Sequence, residues 1–330
     1  MTLSPSLSIV IPVFNGANTI VELVNALAAE ELDNLKEIVL VVDGSPDNSF
    51  TVCRTLCSRF SFSVSVLELA RNFGEHNAVM AGINHCDSDF IITMDDDLQN
   101  PSSEVTKLFD YAKISQNDVV YAQYRSKEHA SWRNLGSRLT NWCVEKTQGK
   151  PKNLYLASFR CINRLIAETI SRYTGPFPYI DGLILQATEN IGAIEVEHLP
   201  RPQGVSNYSL AKLFRLFSAM FFNFSIMPLR IGAITGGILS LLGFLGFLAV
   251  IIEALFFSTP PGWATVSAAV FLLAGVQLMV LWLIGEYLGR LYITANHKPQ
   301  YVIRSITQDK PALPDTEGEG NRRPESDQPL

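Results

Sequence analysis

The chain contains no G-x-x-x-x-G-K and no G-x-G-x-x-G, so the P-loop and dinucleotide-binding classes lack support. Cysteine is scarce: five in 330 residues, with no C-x-x-C and no repeating spacing. Cys53 and Cys57 lie four apart on an expected helix, which is poor zinc-finger spacing, and the odd count suits a reducing compartment. The five histidines are scattered, so a histidine-based metal centre is not expected. No basic cluster runs through the first 200 residues and the formal net charge is −6, which argues against a nucleic-acid partner. Residues 1–20 lack a basic start and a cleavage site, and "LSIVIPV" is short enough to be a strand. Charge itself nearly vanishes over 231–288, where Glu253 and Glu286 are the only charged residues.

What is present is regular alternation. Apolar, β-branched runs occur at 7–13, 36–42, 62–69, 90–94 and 118–123, separated by helix-like stretches near 17–30, 49–59, 75–85 and 103–113. Strands alternating with helices predict parallel β-α-β units and a doubly wound sheet. Ligands in such sheets bind beyond the carboxyl ends of the strands. Phe14 and Asn15, Asp43, Arg71 and Asn72, and Asp95 to Asp97 all follow strands directly, and all are polar or aromatic.

The stretch "IITMDDDLQNP" sets three carboxylates in a row behind an apolar run. Alternate positions of an extended segment face the same way, so Asp95 and Asp97 point together. Hard oxygen ligands of this kind suit Mg²⁺ or Mn²⁺ bound with substrate phosphates. The ion would offset the repulsion and neutralise charge on a diphosphate leaving group, which points to a nucleotide-activated donor. A solvated acidic turn, with Asp97 or Asn100 capping the next helix, is the alternative. Asp43 suits a base N–H or a ribose hydroxyl, or else a plain D-G turn. Phe14 offers a ring face to a base or packs locally, and Arg71 reaches for phosphates.

Residues 128–148 read as a helix and 150–200 as an irregular α+β continuation. Residues 209–224 join Lys212 and Arg215 to many large apolar side chains, which fits a helix in the membrane interface better than a core helix. Two apolar stretches, 231–257 and 264–288, are each long enough to cross about 30 Å of hydrocarbon. Basic residues flank both (Lys212, Arg215 and Arg230 before, Arg290, Lys298 and Arg304 after), which places both flanks on the cytoplasmic side. From about 309 the composition is that of a disordered tail.

With these residues assembled, the chain resembles the inverting family-2 glycosyltransferases of GT-A fold. More narrowly, it is similar to the polyprenyl-phosphate glycosyltransferases with two C-terminal membrane helices. The matching stretches are "SIVIPVFN" (8–15), "VVDGSPDNS" (41–49), "RNFGEHNAVMAGI" (71–83), "MDDDLQNP" (94–101), "RPQGVSNYS" (201–209) and "GEYLGRLY" (285–292). The resemblance implies a GT-A catalytic domain over 1–205, an interfacial helix region over 206–229, a two-helix transmembrane domain over 230–292 and a cytoplasmic tail over 293–330. It makes Asp95 and Asp97 the metal-binding D-x-D, with Asp97 counted as catalytic and Asp96 as its middle residue. Pro12, Phe14, Asn15, Asp43, Arg71, Asp95 and Asp96 fall on the donor side. Arg201, Ser206 and Tyr208 match a mobile segment near donor and acceptor. Arg125 and Arg133 match basic positions suited to the acceptor's phosphate, or to plain attraction to anionic lipid. The implied partners are a UDP- or dTDP-sugar, polyprenyl phosphate, membrane lipid and further copies of the chain, some relatives being tetramers.

The chain departs from the family at three places. Asn15-Gly16 stands where relatives often have Asn-Glu, and Val42-Asp43 where they often have an acidic pair. "NLYLASFR" (153–160) has no acid where many relatives carry an Asp. An ionised lipid phosphate has little need of a base, and its in-line positioning matters more. Asp181, which begins an apolar helix-like run, is either a replacement base or a helix cap. The resulting expectation is inverting transfer of a sugar to undecaprenyl phosphate for envelope polysaccharide or lipopolysaccharide. The rivals are transfer to a lipid-linked saccharide or polymer, and a catalytically silent nucleotide-sugar binder.

Overall fold

A computed structural model of the chain describes residues 4–30, 32, 34–124, 154–199, 262–296 and 298–308, with isolated positions between 232 and 245. The first half alternates strand and helix: β1 (Leu7–Val13), α1 (Ile20–Ala29), β2 (Leu35–Val42), α2 (Ser49–Arg54), β3 (Ser63–Leu69), α3 (Glu75–His85), β4 (Phe90–Thr93), α4 (Ser102–Ser115) and β5 (Val119–Tyr124). Then come β6 (Arg160–Asn163), α5 (Arg164–Ser171), α6 (Ile180–Ala187) and β7 (Ile191–Val196). After a long helix, α7 (Trp263–Ala295), the described chain closes with β8 (Ile303–Gln308).

All eight strands form one sheet in the order β7-β5-β6-β4-β1-β2-β3-β8. Strands β1 to β4 pair in parallel, as the alternation predicts. The next step differs. β5 does not lie beside β4, because β6 enters between them, antiparallel to both. β7 pairs in parallel with β5 at one edge, and β8 pairs antiparallel with β3 at the other. The result is a mixed α/β sheet in which six of the eight strands share one direction.

Burial explains the strand sequences. β1 and β2 are covered on both faces, so they read as unbroken apolar runs rather than alternating ones. One face packs against α1, α2 and α4; α1 supplies Ile20, Leu23, Val24 and Leu27 at helical spacing. The other face takes α3, α5 and α6. Helix α3 is buried from Asn77 to Ile83, and Gly82 lets it lie close on β1, since a Cβ there would strike Val10.

The second expected span falls within α7, which has 33 residues, about 50 Å at 1.5 Å per residue. The first, 231–257, lies largely outside the described residues, as does the expected interfacial helix at 209–224. Several α7 side chains are outside them too, and among the described residues no helix is long and apolar enough to cross a membrane.

Candidate active site

The carboxyl ends of β4, β1, β2 and β3 stand side by side, and their loops build a rim. After β1, Asn15 adopts φ 57°, a left-handed conformation that Asn tolerates. Its N–H donates to Ser45 Oγ at 2.8 Å, and the Gly16 N–H to Ser49 Oγ at 3.1 Å. Asp47 organises both serines, accepting from Ser45 Oγ and Ser49 Oγ at 2.6 Å each. Burial works against its charge, but these bonds and the Ser49 and Ala17 N–H groups hold its pKa below the ordinary value. Gly44, at φ 57°, allows the β2 loop to touch the Arg71–Asn72 backbone, where any Cβ would collide.

Asp43 is buried and turned toward that neighbouring loop. Oδ1 accepts the Phe73 N–H at 2.7 Å and Oδ2 the Gly74 N–H at 2.8 Å. Burial raises its pKa, and the two backbone bonds partly reverse the rise. Asp43 therefore latches the loops after β2 and β3 together. Pro12 is half-buried in β1, while Phe14 and Asn15 are exposed on the rim. Arg71 is exposed, its guanidinium 4.5 Å from the Phe73 ring centroid.

Asp95, Asp96 and Asp97 follow β4 on this rim, and Leu98 turns the chain with φ 59°. Asp96 lies beneath the β1 loop, accepting the Phe14 N–H. Its Oδ2 is buried without a hydrogen-bond partner, against Gly16, where a Cβ would overlap it. The family's frequent Glu in place of Gly16 would not fit this arrangement unchanged. Burial, then the charges of Asp95 and Asp97, push the Asp96 pKa up to about 7. Asp95 Oδ2 accepts from Ser158 Oγ at 2.7 Å, and Asp97 Oδ1 from the Gln99 N–H at 3.2 Å. Among the described residues no group of three or more His, Cys, Asp or Glu is arranged to hold an ion. The orphaned Asp96 oxygen, beside the charges of Asp95 and Asp97, marks an electrostatic strain that a cation held by one or two carboxylates plus substrate phosphates would relieve.

Asp181 sits apart from these carboxylates, in the first turn of α6. The helix is capped at Tyr179 without a side-chain bond, so Asp181 is not the cap. It forms a buried ion pair with Arg160, and its Oδ1 also accepts from Tyr121 Oη at 2.9 Å. With Oδ1 engaged by a guanidinium and a phenol, Asp181 is placed as the counter-charge of Arg160. His76 lies near, edge-on to Tyr179; burial lowers its pKa, and Asp181 and Arg160 act on it in opposite directions. Arg125, Arg133, Arg201, Ser206 and Tyr208 lie outside the described residues.

Residues 8–167 match the family described as Glycosyl transferase family 2. An undecaprenyl-phosphate 4-deoxy-4-formamido-L-arabinose transferase of Serratia proteamaculans is 32% identical over 311 residues, covering 92% of this chain and 94% of its own. The transferase of the same name from Pseudomonas aeruginosa is 33% identical over 315 residues, covering 93% and 92%. The chain belongs to the family-2 glycosyltransferases. Among solved structures, glucosyl-3-phosphoglycerate synthase from Mycobacterium tuberculosis, crystallised with Mn²⁺ and UDP, has a TM-score of 0.48 at 15% identity, covering 65% of this chain and 77% of its own.

The glycosyltransferase also has a cavity of about 780 Å³ lined by Glu104 and Lys107 of α4, Tyr124, β7, Glu197 and His198. Tyr124 reaches toward the carboxylate loop: its hydroxyl donates to Asn100 Oδ1 at 3.1 Å, three residues past Asp97, and its ring centroid lies 4.2 Å from that of His198. Burial, then Asp95, Tyr155 and Asp97, raise the Tyr124 pKa. The segment after β7 is sewn to the carboxylate loop, since Leu199 N–H donates to Gln99 O at 2.8 Å and Gln99 Nε2 to Leu199 O at 3.2 Å. Sequence reasoning passed over Asp47, Ser158 and Arg160. Ser158 and Arg160 enter the sequence reading only as part of the acid-free stretch 153–160, with no sign that Arg160 is a buried cation.

Proposed function

We propose that this glycosyltransferase moves a sugar, with inversion, from a nucleotide diphosphate sugar to a polyprenyl phosphate such as undecaprenyl phosphate, at the cytoplasmic face of a membrane. The observation that carries this reading is where the apolar region joins the sheet. β7 runs parallel to β5 and, through β6, in the same direction as β4, so the chain leaves the sheet after Val196 on the carboxylate rim. It re-enters at Ile303, paired with Leu69 at the carboxyl end of β3. Both ends of the segment 197–302 thus attach on the same side as Asp95 to Asp97. A bilayer held by that segment faces the site, as a lipid-phosphate acceptor requires and a soluble acceptor would not. The names of the relatives agree on the acceptor.

A lipid phosphate oxygen attacks the anomeric carbon from the face opposite the nucleotide, and the bond to the diphosphate breaks with its electron pair on the departing nucleotide. Asp95 and Asp97 would hold a divalent cation, Mg²⁺ or Mn²⁺, which would supply charge neutralisation at that diphosphate. Arg71 meets the phosphates, and Phe14, Asn15 and the Asp43-latched loops bound the nucleotide. Arg125, Arg133, Arg201, Ser206 and Tyr208 would hold the acceptor's phosphate, as the family resemblance implies. No general base is needed, in keeping with the engagement of Asp181 by Arg160. Two spans in 230–292 and the region 206–229 anchor the enzyme, and the product serves envelope polysaccharide or lipopolysaccharide.

The test is transfer from a panel of labelled UDP- and dTDP-sugars, 4-deoxy-4-formamido-L-arabinose included, to purified undecaprenyl phosphate with Mn²⁺ and then with EDTA. A labelled lipid that disappears with EDTA and in Asp97→Asn is the expected result. Nucleotide binding without a lipid product from any donor would overturn the reading in favour of a saccharide acceptor.

A further inference from the structure

The antiparallel register of β4 and β6 sets Thr93 against Arg160. Continuing it by two residues sets Asp95 across from Ser158. The side chains meet there: Ser158 Oγ donates to Asp95 Oδ2 at 2.7 Å. The serine is fixed in turn, because its carbonyl accepts from Thr93 Oγ1 at 2.6 Å. Thr93 Oγ1 accepts from Arg160 Nε at 3.2 Å, and Arg160 is locked by its buried ion pair with Asp181, itself bonded to Tyr121. A continuous set of hydrogen bonds thus runs from α6 across the sheet to the first carboxylate.

We infer that Ser158 is a positioning residue for Asp95, braced by Thr93 and the Arg160–Asp181–Tyr121 cluster, and that it sets this carboxylate's direction toward a divalent cation. The inference rests on the proposed cation role of Asp95 and Asp97. A hydroxyl is suited to the task. It donates one hydrogen bond to a carboxylate without adding charge, and such charge-assisted bonds are the short, strong ones. A carboxylate at 158 would instead add a fourth negative group facing Asp95. A bare lysine or arginine there would compete with the cation for Asp95. The acid-free stretch "NLYLASFR" therefore places a neutral donor opposite the D-x-D, where charge of either sign would interfere.

The pair of variants that isolates the hydroxyl is Ser158→Thr and Ser158→Val, equal in bulk and differing in the donor. Mn²⁺ binding to the full-length enzyme with UDP is read by electron paramagnetic resonance of free Mn²⁺, with thermal melting recorded on the same samples. Ser158→Val is expected to bind Mn²⁺ roughly tenfold more weakly, the effect of losing one hydrogen bond to a charged group, while Ser158→Thr stays within about twofold of wild type. Where both variants fold, equal binding in Thr and Val overturns the inference. If Ser158→Val fails to fold, Ser158→Ala replaces it under the same criterion. Asp97→Asn separates the two levels: if it leaves Mn²⁺ binding intact, the cation reading itself fails. Loss in Asp97→Asn with none in Ser158→Val refutes Ser158 alone.

Discussion

Asp181→Asn distinguishes a base from a counter-charge while leaving side-chain shape almost unchanged. Arg160 is 2% exposed and Asp181 7%, so the amide would leave a guanidinium out of water without its anion. Removing one partner of a buried ion pair destabilises by about 3–5 kcal/mol, because the other charge stays buried and uncompensated. In a domain of 150–250 residues each kcal/mol moves the melting temperature by about 2–4 °C, giving a fall of roughly 6–20 °C. Differential scanning fluorimetry of the detergent-purified enzyme reads this directly, with lipid transfer measured well below the melting point. The matched double variant Arg160→Met, Asp181→Leu should recover much of the loss, since apolar replacement of a buried pair is often close to neutral. Asp181→Asn melting with wild type yet devoid of transfer would refute the argument and restore Asp181 as a base.

Three further outcomes follow from the same geometry. The Asp96 pKa of about 7 lies above its ordinary 3.8, so the folded, cation-free protein holds that proton more tightly than the unfolded chain. Stability fully present below about pH 4 is then lost as pH rises to about 7 and levels off above it; melting in EDTA should fall between about pH 4 and 7, and Asp96→Asn should flatten the profile. Gly44→Ala strains a positive φ and drives a methyl into the Arg71–Asn72 backbone, so nucleotide-sugar affinity, read by calorimetry, should weaken by about tenfold or more and stability by at least 1 kcal/mol. Ending the chain at Val302 removes β8 and the Glu68 bonds to Arg304 and Ser305; fluorimetry should show melting several degrees lower, because the buried edge of β3 is uncovered.

Local patterning carried the fold from Leu7 to Tyr124, because strands covered on both faces announce themselves as apolar runs and the helices between them repeat at 3.6 residues. It failed where pairing is distant. β6 is four residues long, too short to show a period, and its place between β4 and β5 is set by partners about 70 and about 40 residues away. β8 pairs with a strand more than 230 positions earlier, which no window detects, although Ile303 and Ile306 sit in a stretch of otherwise polar character. At the site, proximity to strand ends marked the D-x-D and Asp43, yet the Asp43 contacts with Phe73 and Gly74 depend on how two loops meet. The Asp181 ion pair was illegible for the same reason: Arg160 lies on β6 and Asp181 on α6, and a single sequence does not reveal which cation a buried acid meets.

The two ends of the segment 197–302 also decide how the catalytic sheet can move. β7 and β8 are its opposite edges, seven interstrand steps apart, or about 34 Å at 4.8 Å each. A body hung from one point turns about three axes; hung from two, it keeps only rotation about the line joining them. That line passes along the rim that bears Asp95 to Asp97. With both attachments held at a membrane, as proposed above, rocking of the sheet would swing its far end through a wide arc while the carboxylates, close to the pivot, keep their height above that surface.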